Sequence, residues 1–170
     1  INPETKSLAV YVSATVVSLQ NPLSSAKGPG NMVLINSDNM PSSTYSGPGA
    51  GRYPTANSVV NDLVRIAQDR TLSPFPLQNV IELNNDYIAN FYIRIKCSDG
   101  LGIIRAVGEA AEKNGVSIHA ILQNPIESHS NLDFVVTTEL VQLSKVQGFA
   151  NDISKMSFSK EYPLYMPILH

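Results

Sequence analysis

The 170-residue chain has a single cysteine, Cys97, which excludes an internal disulfide and a cysteine-based metal centre and fits a reducing compartment, cytosol or organelle stroma. Charged residues make up only 15% of the chain, the formal net charge is −2 and no run of one sign occurs. There is accordingly no basic field to draw nucleic acid. No apolar run reaches the roughly eighteen residues that a membrane-crossing helix needs, so no membrane partner is expected. The opening INPETKSLAV lacks an initiating Met and a charged-then-apolar leader, and Ile1 reads as a cut within a longer polypeptide. What is present is a globular composition, 43% hydrophobic, enough for one domain or two small ones.

The most structured stretch is Gly47–Ala67, GPGAGRYPTANSVVNDLVRIA. Gly47, Gly49 and Gly51 permit positive φ and close approach of a ligand or a second backbone to the main chain. Thr55 reads as an N-cap, with Pro54 fixing the entry angle. Ala56, Val59, Val60, Leu63, Val64 and Ala67 then recur at helical spacing, giving one apolar face that must pack on something. The first-turn amides favour an anion or a carbonyl-like oxygen in the loop. No Gly-Lys-Ser/Thr follows Gly51, so this is not a P-loop, and the spacing is poor for a Rossmann fingerprint.

Upstream, residues 7–17 alternate like a strand, Asn21-Pro22 breaks it, and Leu23–Ala26 fits a short helical turn. A second strand is expected over Asn31–Ile35, apolar on both faces and so covered on both. The polar turn Asn36–Asn39 follows, then a third short strand at Thr44–Ser46 that runs into the glycine loop. Asp69–Gln78, with Pro74 and Pro76, reads as a semi-extended linker whose Phe75 and Leu77 dock on a neighbour.

Beyond the linker the pattern changes. Strands are expected at Asn90–Cys97, Val116–Gln123, Leu132–Thr138 and Leu164–Leu169, and helices at Leu101–Asn114, stopped by Gly115, and Ser144–Met156. The order β-α-β-β-α-β is a split βαβ, ferredoxin-like unit, an order that hosts many functions.

The wording of the glycine stretch closely resembles the GxGAGxxPTAxxVVxDLxxIA segment of homoserine dehydrogenases, with Gly47, Gly49, Ala50, Gly51, Pro54, Thr55, Ala56, Val59, Val60, Asp62, Leu63, Ile66 and Ala67 on the pattern. Asn21, Pro22, Leu23, Gly30, Asn31, Val33 and Asp38 are looser echoes of the preceding passage of that family. Residues 90–123 resemble an ACT domain, the small amino-acid-sensing module, at Asp99, Gly102, Ile103, Gly115, Val116, Ser117, Ile118 and Gln123, with Leu101 where the family's turn has proline.

The resemblance implies an α+β chain. Residues 1–68 would be dimerisation strands and the return helix of the nucleotide-binding region, 69–89 a linker, and 90–170 a ferredoxin-like βαββαβ ACT regulatory domain. It implies the C-terminal portion of homoserine dehydrogenase, an NAD- or NADP-dependent enzyme interconverting homoserine and aspartate 4-semialdehyde. The cofactor contacts carried over are Gly49, Ala50, Gly51 and Thr55. The effector contacts are Asp99, Gly100, Leu101, Gly102, Ile103, Val116 and Ile118, with L-threonine the implied effector. A homodimer or higher homo-oligomer and the remainder of the enzyme chain are the implied partners. The alternative is an ACT-type module serving another enzyme, for which the glycine stretch would have no use.

The family's dinucleotide glycines, catalytic lysine and acidic substrate ligands have no counterpart here, so no catalytic residue is assigned and the chain alone is expected to be inactive. No metal site is assigned either: His119 has no second ligand at metal spacing, His129 lies in a polar loop and His170 is terminal. Nothing places Lys6, Lys27 or Lys96 in an apolar pocket. Asp62 reads equally as a solvated helix carboxylate, and the bland reading of Asp99 is a charge favoured by a helix N-terminus. Cys97 reads as a small buried strand thiol.

Overall fold

The computed structural model describes residues 5–70, 81–123 and 132–169. In chain order the elements are β1 (Ser7–Leu8), β2 (Val16–Val17), a 3-10 turn (Pro22–Ser25), β3 (Gly30–Ser37), β4 (Met40–Pro48), α1 (Arg52–Ala67), β5 (Glu82–Leu83), β6 (Ile88–Cys97), α2 (Ile103–Asn114), β7 (Ile118–Gln123), β8 (Leu132–Thr138), β9 (Val141–Gln142), α3 (Leu143–Ser154) and β10 (Leu164–Leu169). The chain is mixed α+β and divides into two compact units. Of the described residues, one takes 5–16 together with 81–123 and 132–169, and the other 17–70. The linker residues Pro74, Phe75, Pro76 and Leu77, together with His129 and His170, lie outside the described residues.

The larger unit is built on β6, whose sequence IANFYIRIKC alternates so that Phe91, Ile93, Ile95 and Cys97 share one face. β8 pairs antiparallel with β6 and adds Leu132, Phe134 and Val136 to that face. The sheet order is β2-β10-β6-β8-β7, with β9 pairing the start of β6. Two amphipathic helices close the core, α2 through Val107, Ala110 and Ala111 and α3 through Val146, Phe149, Ala150 and Ile153. The observed order from β6 to β10 is the expected β-α-β-β-α-β, with the short β9 added before α3.

Helix ends explain where these elements stop and start. Gly115 takes the left-handed conformation, φ +64°, and the amides of Gly115 and Val116 return to the carbonyls of Glu112 (3.0 Å) and Ala111 (2.9 Å), as a glycine stop requires. The start of α3 is capped from a distance. Asp86 accepts from the Ser144 amide at 2.7 Å and from the Ser144 hydroxyl at 2.8 Å, across 58 residues. The two helices are locked by Asn114, which donates to the Ala110 carbonyl (2.8 Å) and to Asp152 (2.9 Å). Lys113 adds an ion pair to Asp152 at 2.9 Å. A Cβ at Gly148 would collide with the Asn114 side chain, so α3 presents bare backbone at that point.

The expected strand over residues 7–17 is reduced to β1 and β2. β1 pairs in parallel with β5, and Glu82 and Asn84 donate to the carbonyls of Lys6 (3.0 Å) and Leu8 (2.9 Å). Val10 donates to Asn85 at 2.8 Å, and the Tyr11 ring stacks on Tyr87 at 3.9 Å. These contacts group residues 5–16 with the larger unit and not with the hairpin that follows them in sequence.

The smaller unit is a two-stranded ribbon, β3 with β4, closed by a two-residue turn at Asp38-Asn39, plus α1. The strands run longer than their sequence signals. Thr55 is not the N-cap of α1: the helix begins at Arg52 with Gly51 as its cap, and Thr55 lies in the first turn, its amide donating to the Gly51 carbonyl at 3.1 Å. The turn tolerates Pro54 because its missing amide would have no intrahelical acceptor there. Val33 and Ile35 are exposed, where both faces of the strand had been expected to be covered. A ribbon and one helix have too little chain to cover two faces of a strand.

Two expectations follow. Asp86→Ala removes the only side-chain cap seen at α3 among the described residues and should destabilise the larger unit by about 1 kcal/mol in urea unfolding, with β6 and α2 otherwise intact. The Asp152 carboxyl is held below its ordinary value of 3.8, first by the Asn114 hydrogen bond and then by Lys113. A depressed folded-state pKa contributes stability that is complete above the ordinary value and is lost as pH falls through the lowered one. Asp152→Asn should therefore flatten the decline of the melting temperature below about pH 4.

Candidate functional site

The glycine loop joins β4 to α1. Of its three glycines only Gly51 has positive φ, +129°, a conformation that side chains strain against. Gly49 meets a different need. Its amide donates to the Pro29 carbonyl at 2.8 Å, and a Cβ there would collide with the Asn31 side chain of β3. Gly47 lies in β4 opposite Asn31 with open space around it. The expectation of positive φ at all three therefore holds for Gly51 alone. Ala50 and Thr55 are exposed on either side of Gly51. Pro48, Tyr53, Pro54, Ala56, Asn57, Ser58 and Val60 line a shallow open depression beside the loop, and Gly49, Ala50, Gly51 and Thr55 are not among its lining residues.

The helix that follows is almost wholly uncovered. It has no buried residue, and Val59, Val60, Leu63, Val64 and Ile66 are all exposed. An amphipathic stripe of this kind stabilises a helix only when it packs. Asp62 is exposed on the same helix.

The second candidate is a half-open pocket of about 190 Å³ in the larger unit. Asp99, Gly100, Leu101, Gly102 and Ile103 form its rim, and Cys97, Leu132 and Phe134 its floor, with Gln123 and Ile104 at the sides. The turn closes over it because Gly102 adopts φ +83° as the cap of α2. Five of the residues named as effector contacts thus meet in one place. Val116 and Ile118 do not: Val116 is buried in the core and Ile118 packs against it.

The floor was not foreseen as part of a site. Its signal is parity: Cys97 is the last core-facing residue of β6, so its side chain points beneath the turn that follows. Burial pushes the Cys97 thiol up, and the nearby charges of Asp99 and then Asp133 push the same way, with Lys160 opposing. The thiol is therefore held protonated and poorly nucleophilic. His119 pairs with Glu139 at 2.8 Å on the surface, and Lys96 with Glu161 at 3.2 Å. Among the described residues no three His, Cys, Asp or Glu side chains come together as metal ligands, and no helix is long and apolar enough to cross a membrane.

The fold and these two places define a mixed α+β chain in which a glycine-loop helix with an uncovered apolar face accompanies a split βαβ module with a pocket at its first strand–helix turn. The chain is similar to the homoserine dehydrogenases over part of their length. The family model of that description matches residues 4–64. Homoserine dehydrogenase of Synechocystis sp. is 28% identical over 98% of this chain and 41% of its own length. That of Bacillus subtilis is 29% identical over 76% of this chain and 31% of its own. The solved structure of a homoserine dehydrogenase from Thiobacillus denitrificans superposes with a TM-score of 0.75 at 20% identity, covering 92% of this chain and 38% of the other. A homoserine dehydrogenase structure from S. aureus gives 0.53 at 18% identity over 91% and 35%. The chain thus spans about two fifths or less of the relatives it matches.

The buried, protonated thiol sets an expectation. Iodoacetamide should label Cys97 slowly at neutral pH in the folded chain and at an ordinary rate in urea, and Asp99→Asn should raise the folded-state rate by lowering the thiol pKa. Fast labelling of the native chain would show that the floor is open.

Proposed function

We propose that this chain is the C-terminal portion of a homoserine dehydrogenase, supplying dimerisation strands, the loop and helix that complete the nicotinamide site, and an ACT domain that senses an amino acid. The observation that carries the reading is the coincidence of the family match, residues 4–64, with an amphipathic helix whose apolar face its own unit leaves uncovered. In this reading the nucleotide-binding portion covers Val59, Val60, Leu63 and Val64, and a second copy covers the outer face of β3 and β4. A sensor module serving an unrelated enzyme would have no use for the glycine stretch.

NAD or NADP would supply the hydride acceptor. The part of this chain is to offer bare main chain around Gly51, where the positive φ would strain any side chain, at the positive end of α1. Gly49, Ala50 and Thr55 flank that point. In the ACT domain the pocket rim from Asp99 to Ile103 would hold the carboxylate of L-threonine near the start of α2. The reaction assigned to the whole enzyme is the interconversion of homoserine and aspartate 4-semialdehyde in threonine and methionine biosynthesis, a cytoplasmic or stromal activity.

The purified 170-residue chain should not reduce NAD or NADP with homoserine, and should give saturable heat on titration with millimolar threonine that Gly102→Val abolishes. In a polypeptide that also carries the nucleotide-binding portion, Leu63→Asp should lower homoserine oxidation at least tenfold while threonine still binds. Turnover by the chain alone, or full activity of the Leu63 variant, would overturn the enzyme reading. A silent titration would overturn the sensor.

A further inference from the structure

Residues 82–87 make contacts in two directions. Toward the arm, the amides of Glu82 and Asn84 donate to the carbonyls of Lys6 and Leu8 at 3.0 and 2.9 Å, and the Asn85 side chain accepts from the Val10 amide at 2.8 Å. Tyr87 stacks on Tyr11 with ring centroids 3.9 Å apart and planes 11° from parallel. Toward α3, Tyr87 and Asp86 take the two leading amides of the helix. The Leu143 amide donates to the Tyr87 carbonyl at 3.0 Å, and the Ser144 amide to the Asp86 carboxylate at 2.7 Å. The first amides of a helix have no acceptor within it, and Gln142, at the cap position, supplies no side-chain bond. The acceptors that α3 needs thus belong to a segment whose other edge holds the arm.

The segment acts as one piece. The Asp86 amide is tied back to the Asn84 side chain at 3.0 Å, and the Tyr87 ring lies 5.9 Å from that of Phe91, which is fully buried. The arm is the weakly held partner: residues 10–15 are exposed, and an element with few buried contacts opens at low free-energy cost.

We propose that residues 82–87 are a two-sided strap that makes docking of the arm and closure of the first turn of α3 a single cooperative event. When the arm lifts, the strap withdraws its carbonyl and carboxylate and the first turn of α3 opens. By linkage the converse holds, and a change at the start of α3 loosens the arm. Asn114 and Asp152 lock α3 to α2 at 2.9 Å, and α2 starts from Gly102 in the rim of the pocket. The arm continues in sequence into the unit that carries the glycine loop, so the strap is where a change in the pocket module passes to that chain. Only contacts inside the larger unit are involved, and neither threonine nor a cofactor is required, so the strap stands or falls apart from the sensor and enzyme readings.

Amide hydrogen exchange of the 170-residue chain, resolved by NMR, tests it. Tyr11→Ala, a change in the arm alone, should speed exchange at Leu143 and Ser144 by about tenfold. Tyr11→Phe keeps the ring and should leave those rates within about twofold of the wild type. Asp86→Ala should speed exchange at Val10, Glu82 and Asn84, the amides that face the arm contact, by a factor similar to that for Tyr11→Ala. The Ile93 and Ile95 amides of β6 are the reference and should not move in any variant. Leu143 and Ser144 rates untouched by Tyr11→Ala, equal effects of Tyr11→Ala and Tyr11→Phe, arm-side amides untouched by Asp86→Ala, or an acceleration shared equally by β6 would each overturn the proposal.

Discussion

The alternation of strand β6 is the constraint on which most of the molecule depends. Its odd-numbered residues from Phe91 to Cys97 are buried under two helices, and that burial fixes which way every neighbouring strand must face. The same parity carries Cys97 under the turn that follows, where it becomes the floor of a pocket. It also decides that Tyr92 and Arg94 look the other way. A single period of two residues thus produces a core, a pocket and a second surface from one strand.

The smaller unit shows what happens without such a layer. A ribbon of two strands with one helix buries little, and marginal elements of this kind gain stability from what they pack against. Valines, leucine and isoleucine line α1 and the outer side of β3 without cover from their own unit. Most of the residues matched by the homoserine dehydrogenase model fall on this unit, where the physical need for a neighbour is great.

Much of the larger unit was legible in the sequence because its signals are local. Alternation in residues 90–97, helical spacing in 103–114 and a glycine at 115 each decide one element without reference to another. The turn from Asp99 to Ile103 was legible for the same reason. What was not legible depends on distant partners. The cap of α3 comes from Asp86, far back in the chain. The alternating residues 7–17 carry a strand pattern, yet only two short pieces find pairing partners. Thr55 has the chemistry of a cap but lies inside the turn that Gly51 begins. Gly49 is explained by Asn31 on the neighbouring strand, a contact that spacing along the loop could not reveal. Val116 and Ile118 share the sequence neighbourhood of the pocket and point into the core instead.

The grouping of residues 5–16 with 81–169 makes the larger unit a discontinuous piece of chain. The hairpin and its helix are spliced into it as an excursion that leaves after β2 and returns before β5. A single backbone cut within that excursion would not free the βαββαβ module from the arm, because the parallel β1–β5 pair and the Tyr11–Tyr87 stack bridge the two sides of the break. A fragment begun at Tyr87, by contrast, would forfeit those partners and expose the ring of Tyr87 to water.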